Sequence, residues 1–251
     1  MDITQSFYDD MASQYEKLFL DWQSTTHEQA AILDRIFKDN GLDINAHVLD
    51  CACGIGTQSV GLAALGYHVS ASDISDGELA EAMVKAKDNA VQINFKHADF
   101  RNLSEVFPES FDIVIAMDNA LPHMLTRTDL ESAIKSIVGQ TKDGGIFVAS
   151  IRDYDSLLEK KPSYSTPYIH KTDKGQRVSF QTWVWNDESY HLIQYIIDDE
   201  ESLQISKFEC DYRAIRQGEL TQLLLANGCS KVTWIPPEDS GFYQPIVVAR
   251  K

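Results

Sequence analysis

Between residues 47 and 151, short apolar runs alternate with longer amphipathic stretches, and that alternation limits the chain to few folds. Val48-Leu49 and residues 67–72, 93–95, 111–117 and 146–151 read as five strands. Helical spacing fills the gaps, over residues 58–66, from a Ser75 cap to about Lys87, and from a Thr128 cap to about Gly139. Strands separated by helix-length segments pair in parallel and need helices on both faces of the sheet. The run Phe111-Asp112-Ile113-Val114-Ile115-Ala116-Met117 is apolar on alternate positions of either set, as a strand buried on both faces requires.

The flanks break this rhythm. Phe7, Met11, Tyr15 and Leu18, then Ala30, Leu33 and Phe37, recur at helical spacing, so residues 1–40 read as a helical lid. Residues 177–185, 190–198 and 202–212 are β-rich runs separated by Asn186-Asp187-Glu188 and Asp199-Glu200-Glu201. They read as a three-stranded antiparallel meander, an insert spanning residues 160–214 on the substrate side. A helix at 217–226, closed by Asn227-Gly228, and strands at 231–235 and 244–249 complete the sheet begun by the core at 41–155. One domain accounts for the 251 residues.

Composition excludes some partners. With 22 basic against 38 acidic residues the net charge is −16, which repels nucleic acid and anionic membranes at long range. No apolar run is long enough to span a bilayer, and Met1-Asp2-Ile3-Thr4-Gln5 lacks a secretory pattern. A cytoplasmic protein with reduced thiols is the expectation. Cys51 and Cys53 are two apart, which is not a metal-ligand spacing, so no metal is expected. A homo-oligomer stays open.

In an open parallel sheet, ligands sit beyond the carboxyl ends of the strands. Strand one ends in Asp50 and turns through Gly54 and Gly56. Strand two ends in Asp73, placed to accept both hydroxyls of a ribose. Asp99, between Ala98 and Phe100, suits an adenine amine with apolar cover, and strand four ends in Asp118-Asn119. Carboxylates converging on one pocket need a ligand that brings donors or positive charge. S-adenosylmethionine brings a sulfonium, an ammonium, ribose hydroxyls and an amine. A dinucleotide brings a pyrophosphate that Asp50 opposes, and Ser59 stands where the third fingerprint glycine belongs. An NAD-dependent oxidoreductase is therefore disfavoured.

The segment Val48-Leu49-Asp50-Cys51-Ala52-Cys53-Gly54-Ile55-Gly56-Thr57 resembles the first motif of class I S-adenosylmethionine-dependent methyltransferases, with the likeness covering about residues 45–151. It implies a Rossmann-like, seven-stranded sheet whose last strand is antiparallel. It also implies cofactor contacts from Asp50, Cys51, Ala52, Gly54, Gly56 and Thr57, from Asp73 and Ile74, from Ala98, Asp99 and Phe100, and from Met117. Tyr15 and Trp22 are candidates to cover the methionine portion, since an aromatic face suits a sulfonium.

Two further segments narrow the resemblance. Asn119 and His123 resemble the Asn-x-x-x-His stretch of the glycine N-methyltransferase group, which includes sarcosine methyltransferases. Ile151-Arg152-Asp153-Tyr154-Asp155 resembles that group's arginine segment. In the family the arginine holds the carboxylate of the amino acid and the asparagine assists, roles that carry over to Arg152 and Asn119. Arg152 also stands on its own chemistry as a planar fork for a carboxylate, the alternative being a salt bridge to Asp153 or Asp155. His123 is a candidate proton acceptor, and Tyr168 and Tyr243 are candidate hydroxyl donors to the substrate. The chain departs from the group in having Asp153 where the family has asparagine, and no arginine before Arg35. The acceptor read here is a small carboxylate-bearing amine such as glycine or sarcosine. A natural-product or hydroxylated acceptor, lined by Trp183, Trp185, Tyr190 and Tyr195, and a cofactor-binding module without turnover are the alternatives.

Overall fold

The structure, a computed structural model, describes residues 3–172, 175–199 and 201–251. Two helices, α1 (Ile3–Tyr15) and α2 (Trp22–Asp39), precede the alternating core. The core runs β1 (His47–Asp50), α3 (Thr57–Ala64), β2 (His68–Asp73), α4 (Asp76–Asp88), β3 (Asn94–His97), β4 (Phe111–Ala116), α5 (Arg127–Gln140) and β5 (Thr141–Ser150). After α6 (Tyr154–Lys160) come β6 (Tyr168–Thr172), β7 (Gly175–Asn186), β8 (Ser189–Asp198) and β9 (Gln204–Arg213). Helix α7 (Gln217–Ala226), β10 (Lys231–Ile235) and β11 (Ile246–Arg250) close the chain.

Seven strands form one sheet in the order β10-β11-β5-β4-β1-β2-β3. Only β11 runs against its neighbours, pairing antiparallel with β5 and with β10. This is the Rossmann-like α/β fold expected from the alternation. Strand β4 sits centrally and splits its side chains: Val114 and Ala116 join the core under α5 and α7, while Ile113 and Ile115 join the core under α2. A fully buried aliphatic side chain contributes roughly 1.5–3 kcal/mol, so these two layers supply most of the stability.

Of the two helices in residues 1–40, only α1 lines the cavity described below, through Tyr8 and Tyr15. Helix α2 is a layer helix, because Leu33 and Phe37 pack with Val48 and Leu62 against the sheet. Helices α2 and α3 lie so close that a Cβ on Gly61 would stand 2.6 Å from the Thr26 carbonyl oxygen and 2.7 Å from Ala30 Cβ. The insert has four strands, not three, in the order β6-β7-β8-β9, all antiparallel. The Asn186–Ser189 hairpin turns through Asp187 at φ 54°. The turn expected at Asp199-Glu200-Glu201 lies partly outside the described residues. Helix α5 is capped by Thr126, two residues earlier than Thr128, because Thr126 Oγ1 accepts from Asp129 N at 3.1 Å and also donates to the Asp129 carboxylate. Among the described residues no helix is long and apolar enough to cross a membrane.

Candidate active site

Beyond the carboxyl ends of β1, β2 and β4 lies a cavity of about 430 Å³, covered by α1. Its size suits a small organic ligand. Cys51, Ala52, Gly54 and Thr57 line it from the turn after β1, Asp73 and Ile74 from the end of β2, and Ala98, Asp99 and Phe100 from beyond β3. Met117 and Tyr15 complete the set of expected cofactor contacts that reach the cavity wall.

The turn is held by backbone bonds. Gly56 N donates to Cys53 O at 2.8 Å, and Gly54 N donates to Asp73 Oδ2 at 2.8 Å. Gly54 and Gly56 have φ of 52° and 88°, a left-handed conformation that side chains oppose. Asp73 Oδ1 also accepts from Ser75 N at 3.0 Å. Two backbone donors thus fix this carboxylate at the cavity wall with lone pairs to spare for hydroxyl groups. Burial pushes its pKa up.

Three expected contacts lie elsewhere. Asp50 is fully buried behind the turn, where Ser59 Oγ donates to its Oδ2 at 2.7 Å. Without solvent or a cation beside it, its pKa rises to about 7. Gly56 shapes the turn as the N-cap of α3 and does not line the cavity. Trp22 is buried on the far side of the turn, packed with Ile55 and Val60. Its Nε1 donates to Thr57 Oγ1 at 3.0 Å and Lys85 Nζ lies over the ring, so its face is already covered. Asp99 lines the cavity, but Arg101 N and Arg101 Nε each donate to its carboxylate at 2.8 Å.

The acceptor side is assembled from three segments. His123 lines the cavity, and its Nε2 shares a 2.8 Å hydrogen bond with Tyr8 on α1. Burial and nearby Arg152 lower its pKa to about 3, so the imidazole is neutral. Asn119, at φ 70°, accepts from Arg152 N at 3.1 Å and from Tyr154 OH at 3.0 Å through Oδ1. Its Nδ2 is buried with no hydrogen-bond partner among the described residues. Arg152 donates to Tyr190 OH at 2.7 Å and to Gln181 Oε1 at 2.9 Å, and lies 5.0 Å from the Trp183 ring centroid. Neither Asn119 nor Arg152 is part of the cavity wall itself. The alternative salt bridge is not made: Asp153 caps α6 by accepting from Ser156 N, and Asp155 accepts from Gln217 N.

The two candidate tyrosines separate. Tyr168 is 66% exposed on strand β6, so it is withdrawn as a substrate contact. Tyr243 is mostly exposed and off the cavity wall, yet its hydroxyl donates to Asp118 Oδ1 at 2.8 Å. Asp118, at φ 55°, does line the cavity and accepts from Gln58 Nε2 at 2.7 Å.

Sequence reasoning gave no site role to Tyr8, Gln58, Arg101, Asp129, Cys210 or Asp211, which all line the cavity. Tyr8 had a signal, for it stands seven residues before Tyr15, two turns along one helix face. Cys210 and Asp211 had none, since only the tertiary position of β9 brings them there.

The wall chemistry fits a cation better than a diphosphate. Asp73, Asp99, Asp118, Asp129 and Asp211 line the cavity, against Arg101, which already pairs with Asp99 and Asp129. Tyr8 and Tyr15 add aromatic walls.

Residues 48–145 match a family model described as a methyltransferase domain. Together with the fold and the cavity, this match marks residues 48–145 as a class I S-adenosylmethionine-dependent methyltransferase domain. It is 29% identical over 155 residues to the glycine/sarcosine N-methyltransferase of Parasynechococcus marenigrum (strain WH8102), covering 62% of this chain and 54% of that protein. It is 26% identical over 246 residues to human glycine N-methyltransferase, covering 89% and 82% of the two chains. The chain thus spans about half the length of the first of these relatives. In fold it is similar to the S-adenosylmethionine-bound amino pentose methyltransferase CalS10 of Micromonospora echinaspora, with TM-score 0.72, 15% identity, and coverage of 89% and 90%.

Proposed function

We propose that the chain methylates the amine of a small, carboxylate-bearing acceptor of the glycine or sarcosine type. One observation carries the reading. Arg152 has no carboxylate partner among the described residues, and beside it the buried Asn119 Nδ2 donor is unpaired. An unsatisfied buried donor next to a partly buried guanidinium costs free energy unless an anion arrives. Both conditions are met by a carboxylate.

Bound S-adenosylmethionine supplies an electrophilic methyl group, and the protein supplies alignment and field. Asp73 is set to accept the ribose hydroxyls. The cavity acids favour the positive charge of the donor. Tyr190 and Gln181 fix the Arg152 fork beside Asn119, where a carboxylate would be gripped. Neutral His123, with Nε2 bonded to Tyr8 and Nδ1 beside Cys210 Sγ, keeps its charge state and gives the acceptor side a fixed, uncharged polar wall. An amine that arrives neutral needs no dedicated base.

A second reading takes an amino sugar or other cationic natural-product acceptor, favoured by Asp129 and Asp211 on the cavity wall. Isotope-labelled methyl transfer to glycine, sarcosine and their carboxamides separates the two. The carboxylates should turn over, and Arg152→Met should raise KM for them by about tenfold or more, as loss of a charge-assisted pair predicts. Equal turnover of acids and amides would refute the role of Arg152.

A further inference from the structure

Among the described residues, five carboxylates line the cavity, and four of them have a charged or backbone partner. Asp99 and Asp129 face Arg101, Asp211 meets His191 at 2.8 Å, and Asp73 receives the Gly54 and Ser75 amides. Asp118 is different. Its oxygens accept from neutral side chains, Tyr243 OH at 2.8 Å on Oδ1 and Gln58 Nε2 at 2.7 Å on Oδ2. Among the described residues no arginine, lysine or histidine pairs with it. Burial pushes its pKa up, and no cation beside it pulls the value back.

The surroundings fix this one side chain. Asp118 and Asn119 stand at φ 55° and 70°, two successive left-handed residues just beyond β4. Asp118 N donates to Ser150 Oγ at 2.8 Å, and that hydroxyl donates on to Gln244 Oε1 at 2.9 Å. Gln58, in the first turn of α3, gives its other amide hydrogen to Gln29 Oε1 of α2 at 2.6 Å, which sets its amide plane. The carboxylate is held on the cavity wall before any ligand arrives.

We propose that the Asp118 carboxylate binds the α-ammonium of the methyl donor's amino acid tail. Order along the rim of the sheet carries the assignment. Ala98 and Phe100, apolar cover for an adenine, lie beyond β3, and Asp73, set for the ribose hydroxyls, ends β2. The sheet continues β1-β4-β5, and Asp50 at the end of β1 is turned inward. Asp118 is therefore the next carboxylate along the rim, on the side away from the adenine. S-adenosylmethionine has the same order of groups: adenine, ribose, sulfonium, then a tail with one ammonium and one carboxylate. The tail's carboxylate meets no arginine or lysine at this end of the wall. Arg101 belongs to the β3 end, and Arg35, the first arginine of the chain, donates to the Ser240 carbonyl. The tail is gripped by its positive end.

Asn119, the next residue, belongs to the acceptor side. Donor tail and acceptor are then fixed by two neighbouring residues of one rigid turn, which is what alignment of a methyl transfer requires. That consequence rests on the acceptor reading above. The contact at Asp118 rests on the donor alone.

Calorimetry without any methyl acceptor tests the proposal. It compares S-adenosylhomocysteine with the otherwise identical thioether that lacks the amino group. Neither probe carries a sulfonium, so a difference between them reports the ammonium. The wild type should bind S-adenosylhomocysteine about tenfold or more tighter than the desamino probe, as a charge-assisted pair predicts. Asp118→Asn should lose that margin by weakening S-adenosylhomocysteine alone. Asp118→Gly, which suits the left-handed backbone, should do the same and keeps the test decisive if asparagine disturbs Gln58. Equal weakening of both probes would make Asp118 a structural part of the wall and overturn the proposal. Unchanged affinity for both probes would overturn it too, and with a raised acceptor KM would move the role to the acceptor's amine. A wild type that binds neither probe overturns it as well. Turnover of acids against amides judges the glycine reading separately.

Discussion

Replacing Asp50 by asparagine should make the protein more stable at neutral pH. Asp50 is fully buried, accepts from Ser59 Oγ at 2.7 Å and from Ala52 N at 3.4 Å, and has no cationic partner among the described residues. Burial raises its pKa from 3.8 to about 7, against the pull of those two hydrogen bonds. A raised carboxyl contributes stability that is fully present below 3.8 and is lost as pH climbs through 7. At ~1.4 kcal/mol per unit, the whole shift corresponds to roughly 4 kcal/mol, of which roughly 3 falls between pH 5 and 8. Asparagine keeps an acceptor for Ala52 N and offers its amide to Ser59 Oγ, without the ionisation. Urea unfolding of wild type and Asp50→Asn at pH 5, 6, 7 and 8 reads the difference directly. The gap between the two curves should widen by roughly 3 kcal/mol from pH 5 to pH 8, adding about 6–12 °C to the melting-temperature difference for a chain of this size. Parallel curves across that range would show that Asp50 is ionised without penalty, and the assignment of its buried environment would fail.

Two more perturbations follow from the packing and the site. Gly61→Ala places a methyl 2.6 Å from the Thr26 carbonyl and 2.7 Å from Ala30 Cβ, so α2 must move off α3. The expected loss is ~1–3 kcal/mol, read as a lower urea midpoint, and an unchanged midpoint would mean that the helices are free to slide. His123, held near pKa 3, should stay neutral in the folded protein throughout the physiological range, so its imidazole carbon shifts should not titrate between pH 5 and 8. Its neutral form favours folding above the usual value of 6.5, and that contribution is lost as pH falls toward 3, so His123→Gln should flatten the acid limb of the stability curve. A midpoint near 6.5 in the folded protein would contradict the burial assigned to it.

How far the chain was legible depends on the range of the forces involved. The apolar run at β4, the Ser75 cap and the Asn227-Gly228 stop are local signals, and each is found where its spacing puts it. The insert was legible as a meander, but β6 was not, because its Tyr168-Ile169-His170-Lys171 run is exposed apart from His170 and lacks a buried stripe. The cavity wall was legible where carboxylates end strands, as at Asp73, and failed where a neighbour from another element claims the side chain first. Trp22 has the composition of a cofactor cover, but α2 is committed to α3, and the indole goes with it.

Ser75-Asp76-Gly77-Glu78 shows the limit at one helix end. The spacing is that of a reciprocal cap, in which the serine hydroxyl accepts from the fourth residue and the glutamate returns a bond to the serine amide. Half of it forms: Ser75 Oγ accepts from Glu78 N at 3.0 Å. The other half is taken by Asp73, which accepts from Ser75 N while also holding Gly54 N. Glu78 is left fully buried with both carboxyl oxygens unpartnered among the described residues, and burial pushes its pKa well up. A protonated carboxyl there costs far less than an ionised one beside Asp73. The cavity wall thus obtains a rigid acceptor at Asp73 by displacing a local cap, a trade that depends on β1 and β2 being neighbours and has no trace in the spacing of the four residues.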